Sequence, residues 1–311
     1  MNVGDKPEWT AQSPYDRFSD FIAPDADRFE VLLDHIQSLK LNSLVLSIDG
    51  NRHFFIFPAG INLKLSPGSA FPFRGEDPVV LTAHYDRVEG SSGANDNSVA
   101  VLMLLKVAMN LGKMDANKWI VVFTDKEELC RGEGIQEQGS YSLARKLCRI
   151  GLENAKLFNF DACGTGETLV FSSTADYLLA RNKKLNLQKT ATRMKLLREK
   201  AFLVADKLQM SQVFSLPTPF SDDAGFLQGG MPAQTITVLP SAEAVPLASI
   251  MRNRSDFADA VISGGGSNPA DRALIPETWR RINGPLDTHL LLTPRGYERV
   301  VRFAVELCRE Q

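Results

Sequence analysis

Residues 78–128 read PVVLTAHYDRVEGSSGANDNSVAVLMLLKVAMNLGKMDANKWIVVFTDKEE. Two apolar runs, PVVLTAHYD (78–86) and WIVVFTDKEE (119–128), each finish in polar and acidic residues. Uninterrupted Val, Leu and Ile, without the alternation of a half-exposed strand, mark strands buried on both faces. Between them SVAVLMLLKVAMNL (98–111) is long enough for a helix, strongly apolar, and closed by Gly112. Strand, helix and strand in this order form the unit of a parallel sheet.

The same pattern continues outward. AKLFNFDACG (155–164) reads as a third buried strand running into an acid, and QTITVLP (234–240) as another. Upstream, DRFEVLLDHIQSLK (27–40) sets Phe29, Leu32, Leu33, Ile36 and Leu39 on one helical stripe. SLVLSI (43–48) and HFFIFP (53–58) flank Asp49-Gly50, a hairpin signal. A charged helix is expected over about residues 190–210, and a last one over PRGYERVVRFAVELCRE (294–310) with Pro294 at its start. The expected fold class is α/β, a three-layer sandwich with helices on both faces of a central mixed, mostly parallel sheet. One domain is expected over residues 1–311, with a helix and hairpin region over about 1–77 and an irregular insertion over about 241–282. That insertion includes Ser263-Gly264-Gly265-Gly266-Ser267 and reads as a solvated loop or as a rim over a pocket.

Composition narrows the functions. With 311 residues and 44% hydrophobic content the chain can bury a sizeable core. A net charge of −2 offers no long-range attraction for nucleic acid or anionic lipid. No apolar run reaches the roughly 18 to 20 residues that span a bilayer. The polar start MNVGDKPEWTAQSPYDRF lacks the features of a secretory signal, so a cytoplasmic location is expected. Cys130, Cys148, Cys163 and Cys308 are too scattered for a disulfide framework and read as small buried side chains.

Ligands of open α/β sheets bind beyond the carboxyl ends of the strands, where His84, Glu127, Glu128 and Asp161 all fall. A neutral imidazole at His84 suits a metal, and Asp86, two residues on, can take its other N–H. Asp96 lies in Gly93-Ala94-Asn95-Asp96-Asn97, just before the apolar helix. With Asn97 as the helix cap, Asp96 is free to point into the cleft. Glu127 and Glu128 repel each other at a buried strand end unless a cation compensates. One histidine with two aspartates and a glutamate fits zinc better than calcium or magnesium, which prefer all-oxygen shells.

These motifs carry a resemblance. AHYD, GANDN, FTDKEE and NFD stand in the order and approximate spacing of the co-catalytic zinc aminopeptidases, a family that includes bacterial leucyl aminopeptidases and is related to glutaminyl cyclases. SDDAGFLQGGMPAQTI (221–236) and GPLDTHLLLTPRGYERVVRF (284–303) resemble two later segments of that family, so the likeness extends over about residues 78–310. It implies that His84 and Asp161 hold one zinc, that Asp96 bridges to a second bound by Glu128, and that Glu127 is the general base while Asp86 orients His84. It also implies a cis peptide at Asp96-Asn97.

Two positions depart from the pattern. Asn283 stands where the second zinc's histidine is expected, with His289 about six positions away, so that the second ion is weak, absent or completed by another residue. Asp223 replaces a frequent histidine, which either adds an acid near the pocket or is a simple loop change. The expected activity is a zinc hydrolase, a metalloaminopeptidase with one or two ions per chain, removing N-terminal residues from peptides or aminoacyl compounds. A single-zinc glutaminyl cyclase-like enzyme and a catalytically weak binding relative are the alternatives. Substrate preference and oligomeric state are not encoded in these motifs.

Overall fold

Every residue of β3 (Val79–His84) and β4 (Trp119–Thr124) is buried, as their continuous apolar runs require. The structure is a computed structural model that describes residues 17–61, 77–114, 116–181, 187–265 and 268–310. The two strands are joined in an eight-stranded sheet by β1 (Ser43–Ile48), β2 (Asn51–Ile56), β5 (Lys156–Phe160), β6 (Thr168–Ser172), β7 (Val213–Leu216) and β8 (Ala233–Leu239). Their spatial order is β1-β2-β4-β3-β5-β8-β6-β7. The central four, β4, β3, β5 and β8, run parallel, while β2 and β6 flank them antiparallel. The sheet is mixed, with a parallel centre.

Register explains the two faces. Val79, Leu81 and Ala83 of β3 join one core with Val121 and Phe123 of β4 and Phe158 and Phe160 of β5. That core is closed by α2 (Arg28–Ser38), α3 (Val99–Leu111), α6 (Leu187–Lys207) and α12 (Pro294–Arg309). Val80, Ile120, Val122 and Leu157, pointing the other way, pack under α4 (Gly139–Arg149) and Phe226 of α7 (Asp222–Gln228). Helix α3 is apolar on nearly all sides because it lies between the sheet and α12. Layers of helix, sheet and helix follow directly from this two-sided burial.

Three details sharpen the sequence reading. The β1–β2 hairpin turns on Asp49 (φ 49°) and Gly50 (φ 89°), both left-handed, the geometry of a tight two-residue turn that Asp-Gly favours. The segment expected to be irregular, about 241–282, instead carries α8 (Ser241–Asn253), α9 (Phe257–Ile262), α10 (Pro269–Leu274) and α11 (Glu277–Arg281). These are short helices broken by Pro, Gly and Ser, with weak periodicity, but their Leu247, Phe257, Val261 and Trp279 bury a core of their own against β6–β8. Gly266 and Ser267 lie outside the described residues. Cys163 and Cys308 are buried as expected, whereas Cys148 is half-buried and Cys130, in the turn after Glu128, is exposed. Among the described residues no helix is long and apolar enough to cross a membrane.

Helix α1 (Phe18–Ile22) precedes α2, and β2 carries a fully buried imidazole, His53. His53 Nδ1 accepts the Asp125 backbone N–H at 3.2 Å. Burial lowers its pKa from 6.5 to about 4, against a small opposing effect of Asp86. The unfolded chain therefore binds this proton near pH 6.5 while the folded one does not. Stability is lost as pH falls from about 6.5 to about 4, by about 3 kcal/mol for a shift of this size. His53→Gln keeps an acceptor and removes the titration. The difference in unfolding free energy between wild type and variant is expected to change by that amount between pH 7 and pH 4, measured by urea denaturation.

Candidate active site

Strand order places the site. From β3 the chain crosses to β4 on one side and then back to β5 on the other, so the crevice beyond their carboxyl ends opens at β3. His84 is the last residue of β3, Asp161 follows β5, and Glu127 and Glu128 follow β4. Asp96 arrives from the loop before α3, across a cis Asp96–Asn97 peptide as the resemblance implies.

The fully buried His84 is the hub. Its Nε2 lies 2.9 Å from Asp96 Oδ1 and 3.6 Å from Asp161 Oδ1, and its Nδ1 lies 3.3 Å from Asp86 Oδ1. With the ring proton on Nδ1, facing Asp86, the Nε2 lone pair faces two carboxyl oxygens, and either a proton or a metal cation must stand between them. Asp161 Oδ1 is buried and accepts no hydrogen bond. Electrostatics agree. Burial alone would lower the His84 pKa, but the carboxyls of Asp161, Asp86 and Asp96 raise it well above 6.5. Asp86 and Asp161, despite burial, are held below the usual range by His84. Asp96 is pushed up by burial and by Asp161. Nitrogen and oxygen donors converging here fit a zinc-sized cation, which would displace the protons. His84, Asp96 and Glu128 also offer donor atoms all within 4.8 Å of one another.

The second acid pair is arranged differently. Glu127 is raised well above 4.5, by burial first and then, against His84, by the charges of Glu128, Asp161 and Asp222. Gln138 Nε2 donates to its Oε1 at 3.3 Å and to its carbonyl at 3.2 Å, fixing the side chain. Glu128 is raised to about 9 by burial and then Asp96, and its backbone N–H donates to Asp86 at 2.9 Å. Asn283 does reach this group. With its NH2 turned to the acids it donates to Glu128 Oε1 at 2.6 Å, Glu128 Oε2 at 3.3 Å and Asp96 Oδ2 at 3.3 Å. The reverse orientation would aim its carbonyl oxygen at the same three acceptors. His289 does not line the cleft. Asp223 is buried behind it, bonded to Thr235 and raised to about 7 by that burial.

Asn97 does not cap α3. The backbone at Asp96 (φ −121°) and Asn97 (φ −136°) is not helical, α3 starts at Val99, and the Asn97 amide donates instead to Phe160 O at 2.8 Å. The free N–H groups of this loop go to a residue the motifs did not single out for that task. Asp287 accepts from Asn95 N–H at 2.8 Å and from Asp96 N–H at 3.1 Å. Beneath the loop lies Arg28, buried, its Nη2 donating to Ser98 Oγ at 2.8 Å and its guanidinium 4.3 Å from the Phe21 ring centre. Burial opposes its charge, while Asp86, Asp96 and Asp287 favour it. Arg87 ties the same loop to the chain before α2 by donating to Ala23 and Pro24 carbonyls at 2.8 Å. Asp222, 0% exposed, takes a hydrogen bond from Thr124 and is raised to about 6 by burial. Only the Asp287-Thr288 and Ser221-Asp222 motifs gave a sequence signal for any of these.

A sequence model of peptidase family M28 matches residues 63–260. The chain belongs to peptidase family M28. No curated protein matches it in sequence. Among solved structures it resembles the Bacillus subtilis zinc aminopeptidase BSAP, at 17% identity and a TM-score of 0.52, over 83% of this chain and 49% of that one. The chain thus spans about half the length of that enzyme. It resembles the Legionella pneumophila aminopeptidase LapA at 14% identity and a TM-score of 0.59, over 95% of this chain and 69% of that one. With the Tannerella forsythia glutaminyl cyclase it shares 16% identity and a TM-score of 0.60, over 95% of this chain and 96% of that one. At these identities the likeness is one of fold, and it agrees with the α/β sandwich that the sequence predicts. Arg28, Asn283 and Asp287 all lie outside the stretch matched by the M28 model.

The turn carrying Glu127 and Glu128 rests on Gly139. A Cβ there would overlap the Asp125 carbonyl, and the Gly139 N–H donates to Lys126 O at 3.0 Å. Gly139→Ala is expected to push this turn outward and cost about 1–3 kcal/mol, as overpacking does. Thermal unfolding checks the loss of stability.

Proposed function

We propose that the chain is a zinc-dependent hydrolase that removes N-terminal residues from peptides. One observation carries the reading: Glu127 opens onto the same cleft as Asp96 and Asp161, the acids that converge on His84. Asp96, Asp161 and His84 would hold zinc, with Asp86 fixing the imidazole. Zinc bound there supplies a Lewis acid for the scissile carbonyl and lowers the pKa of a water toward 7.

The protein's part is proton handling and placement. Glu127, fixed by Gln138, takes the proton of the attacking water at its carboxylate. As the C–N bond breaks, that proton passes to the leaving amine. Burial raises the Glu127 pKa, which strengthens it as an acceptor of the water's proton. Phe220, Trp279 and Ile282 give the cleft an apolar wall, which supports an uncharged first side chain on the substrate.

The end-to-end match to a glutaminyl cyclase supports a second reading, since the same acid would then move a proton during glutaminyl cyclisation. Aminoacyl anilides and peptides with N-terminal glutamine, offered to one preparation, separate the two: hydrolysis frees the N-terminal amino acid from the aniline or the shortened peptide, cyclisation releases ammonia. Under the first reading Glu127→Gln is expected to lower kcat for hydrolysis by about 10²–10⁴-fold with zinc content and circular dichroism unchanged. Undiminished turnover by a folded variant would sink it.

A further inference from the structure

The two oxygens of Asp96 face different partners. Oδ1 lies 2.9 Å from His84 Nε2, while Oδ2 lies 3.3 Å from the Asn283 amide nitrogen once the NH2 is turned toward the acids, the orientation that gives both amide atoms suitable partners. That nitrogen also stands 2.6 Å and 3.3 Å from the two oxygens of Glu128. A carboxamide NH2 thus fills the wedge between Asp96 and Glu128. A zinc ion shared by these two acids would need that place, at about 2.0–2.2 Å from an oxygen of each.

We propose that Asn283 takes the place of a second metal ion, so that the chain binds one zinc, on the His84 side of Asp96, and none between Asp96 and Glu128. This rests on the zinc reading above. The amide offers two N–H donors to three acceptor oxygens, which satisfies the carboxylates without bringing a charge. Turned round, it would offer a lone amide oxygen beside two carboxylates, a set without imidazole that suits hard cations rather than zinc. Position is also fixed by the backbone. Asn283 has φ 60°, a left-handed conformation in which Asn, Asp and His are the enriched side chains. Trp279 of α11 and the adjoining Ile282 line the cleft beside it. Asn283 is therefore a positioning residue for Glu128, and histidine is among the side chains its backbone admits.

The test is metal stoichiometry. Full-length protein is stripped with chelator, titrated with zinc chloride in a calorimeter, and its metal content measured after desalting. A parallel titration uses manganese chloride. Wild type is expected to hold one zinc per chain and no second ion of either kind. Asn283→His is expected to hold two zinc ions, with circular dichroism confirming its fold. Two ions of either kind in the wild type overturn this inference and leave the hydrolase reading standing. One ion in a folded Asn283→His protein overturns it too. No zinc in the wild type overturns both. Should the variant not fold, the wild-type count alone decides.

Discussion

Buried negative charge at the mouth of β3 is the constraint around which the molecule is arranged. Asp86, Asp96, Glu127, Glu128, Asp161, Asp222 and Asp287 gather there with His84 and Arg28. Two like charges 4 Å apart repel by about 4 kcal/mol at an effective dielectric of 20, so such a group cannot stay ionised without partners. Each acid is answered locally. Asp287 takes backbone N–H groups, Asp86 takes the Glu128 N–H, Asp222 takes Thr124, Glu127 takes Gln138, and Glu128 takes Asn283. Asp161 Oδ1, buried and 3.6 Å from His84 Nε2, is left without a donor, as are Asp86 Oδ1 and Asp222 Oδ1.

The sheet makes that gathering possible. Parallel strands buried on both faces deliver their last side chains to one edge, and the crossover at β3 leaves that edge open between β4 and β5. Layers α3 and α12 on one side and α4 and α7 on the other cover the two faces of the sheet behind that opening. The acids sit in a medium where each hydrogen bond and each missing partner matters more than it would in water.

The legible part of this was local. His84, Glu127, Glu128 and Asp161 could be read because each ends a run of buried apolar residues, and Asp96 because it opens an apolar helix. Their convergence is geometric and the structure supplies it. Asn97 was misread as a cap because its dihedral angles, which put it outside the helix, leave no trace in composition. Arg28 and Asp287 were invisible as partners of the Asp96 loop, since nothing in DRFEV or PLDTH tells what lies across 70 or 192 residues of chain. The helices after 240 were missed for the converse reason. They are short and depend on one another and on β6–β8 rather than on their own periodicity.

The loop around Asp96 is pinned from below by Arg28 and from above by Asp287, on segments that flank the whole sheet in sequence. Contacts between segments this far apart in sequence form at the entropic cost of closing a long loop. The place of Asp96 is thus the joint property of two segments far apart in sequence, and loosening either one releases the same carboxylate.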